Sequence, residues 1–92
     1  MPLTSDAIVV VSKNQLASSI AGETVILGIS AGRYYGLDAV GARIWQLIQA
    51  PGSVAEIVRT IVGEYEVDRE RCEADVLALL QQLVDAGLVE EA

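Results

Sequence analysis

The chain has 92 residues, of which 52% are hydrophobic and 21% charged, and its formal net charge is −7. A chain of this length and apolar content forms one small domain with a modest core, which excludes a disordered tail. The negative charge argues against nucleic acid as a partner, because phosphate binding depends on clustered lysine and arginine. We therefore expect a neutral or basic partner, or a charge that serves solubility alone.

The chain also lacks the sequence signals of membrane insertion and secretion. Its longest apolar runs, residues 8–11 and 25–29, are far shorter than the roughly 20 residues of a membrane-spanning helix. The first residues lack the basic flank and long apolar segment of a signal peptide. Cys72 is the single cysteine, so no internal disulfide can form, which fits a reducing compartment. These features predict a cytoplasmic protein with no membrane partner.

The first third of the chain has the composition of β-strands. Residues 8–11 are all β-branched and predict a strand over about residues 8–12, and residues 23–29 are rich in valine and isoleucine. Residues 33–37 have the length and position of the return strand of a hairpin. Between the first two strands lies a polar stretch, from which Leu16 and Ile20 are expected to pack against the body. The order predicts a three-stranded antiparallel meander.

The remainder of the chain predicts three helices with identifiable ends. Asp38, Ser53 and Asp68 stand at N-cap positions, where a side-chain oxygen accepts from free backbone N–H groups. Gly87 is placed as the left-handed residue that ends the third helix, and Leu88 as the hydrophobic contact that follows. The predicted helices cover about residues 39–49, 54–64 and 69–86.

The third predicted helix has the widest apolar face. Its stripe consists of Val76, Leu79, Leu80, Leu83 and Val84. A face this wide needs cover on more than one side, so one side is expected to meet the core and the other a groove or a partner. The elements together predict one α+β domain over residues 1–92, a three-stranded antiparallel sheet followed by three helices.

The residues give little support to an enzyme. The chain contains no histidine, which is the commonest general base and metal ligand. Cys72 therefore has no histidine partner within the chain, and the carboxylates show no calcium-loop spacing. The glycines of residues 32–36 lack the ending of a phosphate-binding loop. We predict no catalytic residue, no metal and no cofactor.

The predicted last strand carries two of the three tyrosines. Alternate residues of a strand face opposite sides, so Tyr35 shares a face with Arg33 and Leu37, whereas Tyr34 shares one with Gly36. One tyrosine is expected to pack into the core and the other to stay near the surface, unless both simply fill a thin sheet. The last strand of a meander is also a sheet edge, to which an extended peptide can add as a further strand.

These residues carry a resemblance to a known family. The element order, the Tyr-Tyr-Gly-Leu-Asp junction at residues 34–38, the Gly-Ala-Arg-Ile-Trp run at residues 41–45 and the ending at residues 83–88 resemble a PqqD-like RiPP recognition element. Such elements are small domains, similar to winged helix-turn-helix proteins, that bind the leader region of ribosomally made precursor peptides. The chain is most similar to the stand-alone recognition proteins of lasso-peptide pathways.

The resemblance implies a site and partners. The leader would pair with the third predicted strand and lie in the groove between that strand and the third helix. The implied site residues are Arg33, Tyr34, Tyr35, Gly36 and Leu37 on the strand, with Cys72, Asp75, Val76 and Leu79 on the helix. The implied partners are the precursor leader peptide, a separate cysteine-protease leader peptidase that cuts the leader, and a cyclase. The chain itself would deliver substrate and break no bond.

Two other functions stay open from the sequence. A different PqqD-like pathway, such as the redox-cofactor pathway that gives the family its name, would pair the chain with a radical enzyme in place of a protease. A winged-helix DNA-binding regulator has a related architecture, but the acidic surface argues against it. An acyl or peptidyl carrier protein is discounted, because the Asp-Ser-Leu triplet that takes phosphopantetheine does not occur.

Overall fold

In a computed structural model of the chain, described for residues 2–20, 23–30 and 32–92, strands precede, interrupt and follow three helices. In chain order the elements are β1 (Ile8–Val11), β2 (Gln15–Ile20), β3 (Glu23–Gly28), β4 (Arg33–Leu37), α1 (Ala39–Leu47), β5 (Gly52–Ser53), α2 (Val54–Glu64), α3 (Arg69–Asp85) and β6 (Val89–Glu91). No helix in the described part is long and apolar enough to cross a membrane.

The strands form two three-stranded antiparallel sheets. In the first, β2, β3 and β4 lie side by side in that order, and Ile26 of β3 stands opposite Ala17 of β2 and Tyr35 of β4. In the second, β1 lies between β5 and β6. The predicted α+β class and three helices are therefore confirmed, and a three-stranded meander ends at β4 as expected.

The first strand of this meander is not the predicted one. Residues 8–11 form β1, but β1 pairs with β5 and β6, whereas β2 occupies the place beside β3. Leu16 of β2 was expected to pack against the body but is 63% exposed, and the side chain of Ile20 lies outside the described part. Because β2 is polar and largely exposed, it lacks the apolar alternation that identifies a half-buried strand.

The predicted N-caps are confirmed at all three helices. Asp38 Oδ1 accepts from Gly41 N at 2.8 Å, Ser53 Oγ from Glu56 N at 3.1 Å, and Asp68 Oδ2 from Arg71 N at 3.1 Å. Each bond satisfies one of the backbone N–H groups that a helix start leaves free. Each helix start is therefore stabilised by the side chain of its own N-cap residue.

The end of α3 is a Schellman motif, as Gly87 and Leu88 predicted. Gly87 has a φ of +78°, its N–H donates to Val84 O at 3.0 Å, and Leu88 N–H donates to Leu83 O at 2.9 Å. Leu88 is fully buried, and its carbonyl accepts from Ser12 N at 2.9 Å. The motif therefore turns the chain out of α3 and into β6, alongside β1.

One hydrophobic core connects both sheets and all three helices. The inner face of the meander contributes Ile26 and Leu37, while Val76, Leu80 and Leu83 contribute from α3. The largest fully buried side chains are Val9, Ile26, Ile48, Val54, Val58, Ile61, Leu80, Leu88 and Val89. Since α3 uses only part of its apolar face for this core, the remainder is left beside β4.

Candidate functional site

Among the described residues, no strand pairs with the outer edge of β4. The register pairs of β4 join it to β3 on one side, from Thr24 opposite Leu37 to Gly28 opposite Arg33, and it is the last strand of its sheet. The N–H and C=O groups of an antiparallel strand point alternately to its two sides. Alternate backbone groups of β4 therefore point away from the sheet, where an extended peptide can bond to them.

A groove runs along this edge between β4 and α3. Its first half has a volume of about 590 Å³ and lies against the N-terminal half of α3 and the start of α1. Its second half, of about 550 Å³, lies against the C-terminal half of α3 and includes Tyr35, Gln82 and Ala86. Gly36, Leu37 and Leu79 line both halves, so the two halves adjoin along the edge of β4.

The structure brings most of the implied site residues to this groove. From β4, Tyr35, Gly36 and Leu37 line it. From α3, all four implied residues line its first half: Cys72, Asp75, Val76 and Leu79. Arg33 and Tyr34 are exposed and line neither half. Only their position on the edge strand β4 supports their assignment to the peptide-binding site.

The two neighbouring tyrosines have different surroundings. Tyr35 is half-buried and packs against the core, opposite Ile26. Tyr34 is 72% exposed and stands opposite Leu27 on the other face of the sheet. The expectation that only one tyrosine packs inward is confirmed.

Sequence reasoning missed the floor of the first half of the groove. Ile44 of α1 and Ile61 of α2 line it, together with Val67 in the loop before α3. A Cβ at Gly41 would lie 3.2 Å from Leu37 Cβ, so this glycine allows the first turn of α1 to pack closely against the end of β4. Gly41 and the exposed Val67 were the available signals, but neither indicates a groove without the fold.

The rim of the first half is acidic over an apolar floor. Asp38, Asp68 and Asp75 line it with Arg71 as the one cation. Arg71 Nε lies 3.8 Å from Asp75 Oδ2, and both side chains are largely exposed, so this ion pair contributes little. The groove therefore favours an occupant with apolar side chains toward the floor and neutral or basic side chains toward the rim.

Cys72 lies in the groove wall, where its surroundings disfavour the charged thiolate. Burial raises the pKa of the Cys72 thiol, and the Asp75 carboxylate raises it further. Since the thiolate is the reactive form, this cysteine is a poor nucleophile near neutral pH. Within the described ranges, no group of His, Cys, Asp or Glu side chains is arranged to hold a metal ion.

A two-bond ion pair joins the helices that form the groove floor. Arg43 of α1 donates from Nε to Glu64 Oε1 at 2.8 Å and from Nη2 to Glu64 Oε2 at 2.7 Å, near the end of α2. These hydrogen bonds lower the pKa of the Glu64 carboxyl. The planar pairing fixes the orientation of the two side chains and links α1 to α2 behind Ile44 and Ile61.

An apolar groove beside a free strand edge defines a class of domain able to bind extended peptides. The family model described as coenzyme PQQ synthesis protein D (PqqD) matches residues 23–89. The chain belongs to the PqqD family. The resemblance identified from the sequence is thereby confirmed.

Curated proteins described as PqqA binding proteins are similar to part of the chain. The PqqA binding proteins of Rhodopseudomonas palustris strains HaA2 and CGA009 are 42% and 36% identical over 55 residues. That stretch is 60% of this chain and 54% of theirs, so the chain spans about half the length of the curated relatives it matches.

Two solved structures share the fold over most of their length. The structure of TbiB1 in complex with the TbiA(beta) leader peptide is 40% identical, with a TM-score of 0.82 over 88% of this chain and 94% of that chain. Lasso peptide synthetase B1 complexed with the leader peptide is 26% identical, with a TM-score of 0.79 over 89% and 96%. Both relatives were solved with a leader peptide bound.

Proposed function

We propose that residues 1–92 form a single leader-peptide recognition domain of a lasso-peptide pathway. The leader of the precursor adds as a strand to the free edge of β4 and lies in the groove against α3. The domain then presents the leader to a separate cysteine-protease leader peptidase and to a cyclase. The observation that carries this proposal is the groove between β4 and α3, which lies beside a strand edge that no described strand pairs with. The leader peptides in the two solved relatives support it.

Affinity and specificity have separate sources in this arrangement. Backbone bonds to β4 hold any extended peptide, whereas side chains on alternate peptide positions enter the groove. Those side chains would contact Val76 and Leu79 on α3 and Ile44 on the floor, so apolar residues are preferred there. The acidic rim disfavours an acidic peptide at the same end.

In this proposal the chain performs no bond-breaking step. The sequence contains no histidine, and burial raises the pKa of the Cys72 thiol, which disfavours its reactive thiolate form. The chemistry therefore belongs to the peptidase and the cyclase, and the domain works in the cytoplasm, where ribosomal precursors are made.

The PqqA binding relatives favour a second candidate. Their identity of up to 42% supports recognition of a PqqA-type peptide by the same edge and groove. The lasso-type structures cover a larger share of the chain, 88% against 60%, and we therefore place the lasso leader first. Duplex DNA is disfavoured as a ligand, because the acidic rim would repel its phosphates.

Calorimetric titration with a matched pair of variants tests the proposed function. The probes are the leader peptide of the precursor encoded beside this gene, the TbiA(beta) leader peptide and PqqA. Leu79 and Leu77 are both half-buried on α3 and pack on the core, but Leu79 lines the groove and Leu77 does not. We expect Leu79→Ala to weaken leader binding by about tenfold or more, or about 1.4 kcal/mol, and Leu77→Ala to leave it unchanged.

The control is the stability of the two variants, which should fall by a similar amount of about 2 kcal/mol. Equal affinities for wild type and Leu79→Ala would contradict the groove as the binding site. Tighter binding of PqqA than of the lasso leaders would favour the second candidate.

A further inference from the structure

Gly36 lies in the middle of β4, where the described part of the fold gives no reason for a glycine. A glycine weakens a strand, and it usually marks a bulge, a left-handed residue or a close approach of packed atoms. β4 pairs with β3 over its whole length without interruption, so no bulge lies there. Gly36 is not one of the described glycines with a positive φ. A Cβ placed on it would have no described atom within 4 Å.

The missing side chain leaves a slot at the edge of the sheet. Tyr35 and Leu37 pack toward the core, so Gly36 faces the other side together with Tyr34. Val25 of β3 stands directly opposite Gly36 and is 40% exposed. Tyr34, two residues back along β4, is also mostly exposed. We call this space the Gly36 slot: Gly36 is its floor, Val25 closes its inner end and Tyr34 forms one side.

The Gly36 slot opens onto the edge at which the leader would add. A strand bound there would lie about 4.8 Å from β4 and place one residue directly opposite Gly36, with its side chain on the same face. Val25 lies one strand further in, about 10 Å from the bound strand. Because Gly36 has no side chain in between, a long side chain of the bound strand can lie across β4 and reach Val25.

We propose that the Gly36 slot is a specificity subsite for one large apolar side chain of the leader, best an aromatic one. The inference rests on the proposed function. An aromatic ring that lies over a strand glycine restores the packing that the glycine removes, and aromatic side chains pair well with β-branched ones such as Val25 across a sheet. A small leader residue at this position would leave Val25 in contact with water.

This subsite is separate from the groove against α3. α3 packs on the inner face of the sheet, whereas the Gly36 slot lies on the opposite face. Because alternate residues of a strand face opposite sides, the leader residue in the slot must lie an odd number of positions from those that contact Leu79. The leader is therefore recognised on both faces of the strand that it forms.

A scan of the leader against matched protein variants tests the subsite. The probe is the leader peptide of the precursor encoded beside this gene, with each large apolar residue changed singly to alanine, and calorimetry measures each affinity. The test variant is Gly36→Leu, whose side chain fills the slot from within and, because its Cβ meets open space, should not lower stability. The control is Gly52→Leu on β5, where a Cβ likewise has no described atom within 4 Å.

With wild type and with Gly52→Leu, we expect one leader position in the slot at which alanine weakens binding by about tenfold or more. With Gly36→Leu the same alanine change should cost less than about threefold, because the slot is already filled. Val25→Ser removes the inner end of the slot and should reduce the cost at the same leader position. It replaces Gly36→Leu in the test if that variant lowers the melting temperature.

The inference is overturned if every alanine change costs the same factor with wild type and with both slot variants. If Leu79→Ala still weakens leader binding in that case, the proposed function stands without the subsite. A leader position that responds to Gly36→Leu but lies an even number of residues from those that respond to Leu79→Ala also overturns the inference, since its side chain would then lie in the groove. A leader that does not bind wild type refutes the proposed function and the subsite together.

Discussion

At the residue scale, Tyr34 and Tyr35 are adjacent in sequence but are predicted to have different effects. Tyr35 packs on the core opposite Ile26, and we expect Tyr35→Ala to lower the free energy of unfolding by about 2–3 kcal/mol. Tyr34 is mostly exposed, so Tyr34→Ala should change it by less than about 0.5 kcal/mol. Tyr34→Ala should still weaken leader binding, because the side chain would pair with the added strand. Denaturant unfolding and calorimetry measure the two effects.

Equal losses of stability in the two tyrosine variants, with leader binding unchanged, would show that both side chains are structural. The pair is informative because both variants remove the same atoms from neighbouring positions of one strand.

The helix side of the groove shows how far residues can be assigned from sequence. Cys72, Asp75, Val76 and Leu79 follow from the family resemblance, and all line the groove. Periodicity alone does not separate them from the core face, because α3 is apolar over a wide arc and Val76 both belongs to the buried core and lines the groove. Ile61 could not be assigned, because its place in the floor depends on how α2 packs behind α1.

At the element scale, the end of α3 depends on a left-handed glycine. Gly87 has a φ of +78°, where an L side chain costs roughly 1–2 kcal/mol. We expect Gly87→Ala to lower the free energy of unfolding by about this amount, since the Schellman bonds hold the backbone there. Gly63→Ala is the matched control: Gly63 lies in α2 with open space around its would-be Cβ, and alanine there should stabilise by about 0.5–1 kcal/mol.

Thermal or denaturant unfolding of the two glycine variants checks this prediction. Gly87→Ala should lower the free energy of unfolding, and Gly63→Ala should raise it. A stabilising Gly87→Ala would mean that the α3–β6 turn does not require the left-handed conformation. The same turn leads into β6, so its loss would also loosen β1.

The elements that the sequence predicted are those with local signals. The caps at Asp38, Ser53 and Asp68 need only their own first turn, and each is present. β5 and β6 span only two and three residues, too few for any alternation to be recognised. β2 is held by backbone pairing with β3 rather than by burial of its side chains, so its sequence has the polar, non-alternating pattern of a loop.

At the scale of the whole molecule, β1 joins distant parts of the chain. It pairs Ile8 with Ser53 and Val11 with Val89, and this second sheet holds the start of α2 and the end of α3 in place. Such long-range pairs have no local signal, so the sequence predicted β1 but placed it in the meander. The consequence for the site is that α3 lies along β4 at a distance that leaves a groove.

The proposed function requires a leader peptide to add as a strand to β4. Residue-resolved amide hydrogen exchange, measured with and without the leader of the encoded precursor, tests it most directly. In the free protein, alternate β4 amides should exchange quickly because they face the open edge, while those paired with β3 are protected. Saturating leader should protect the fast set and leave the others unchanged. Leader binding that leaves the fast β4 amides unprotected would contradict strand addition.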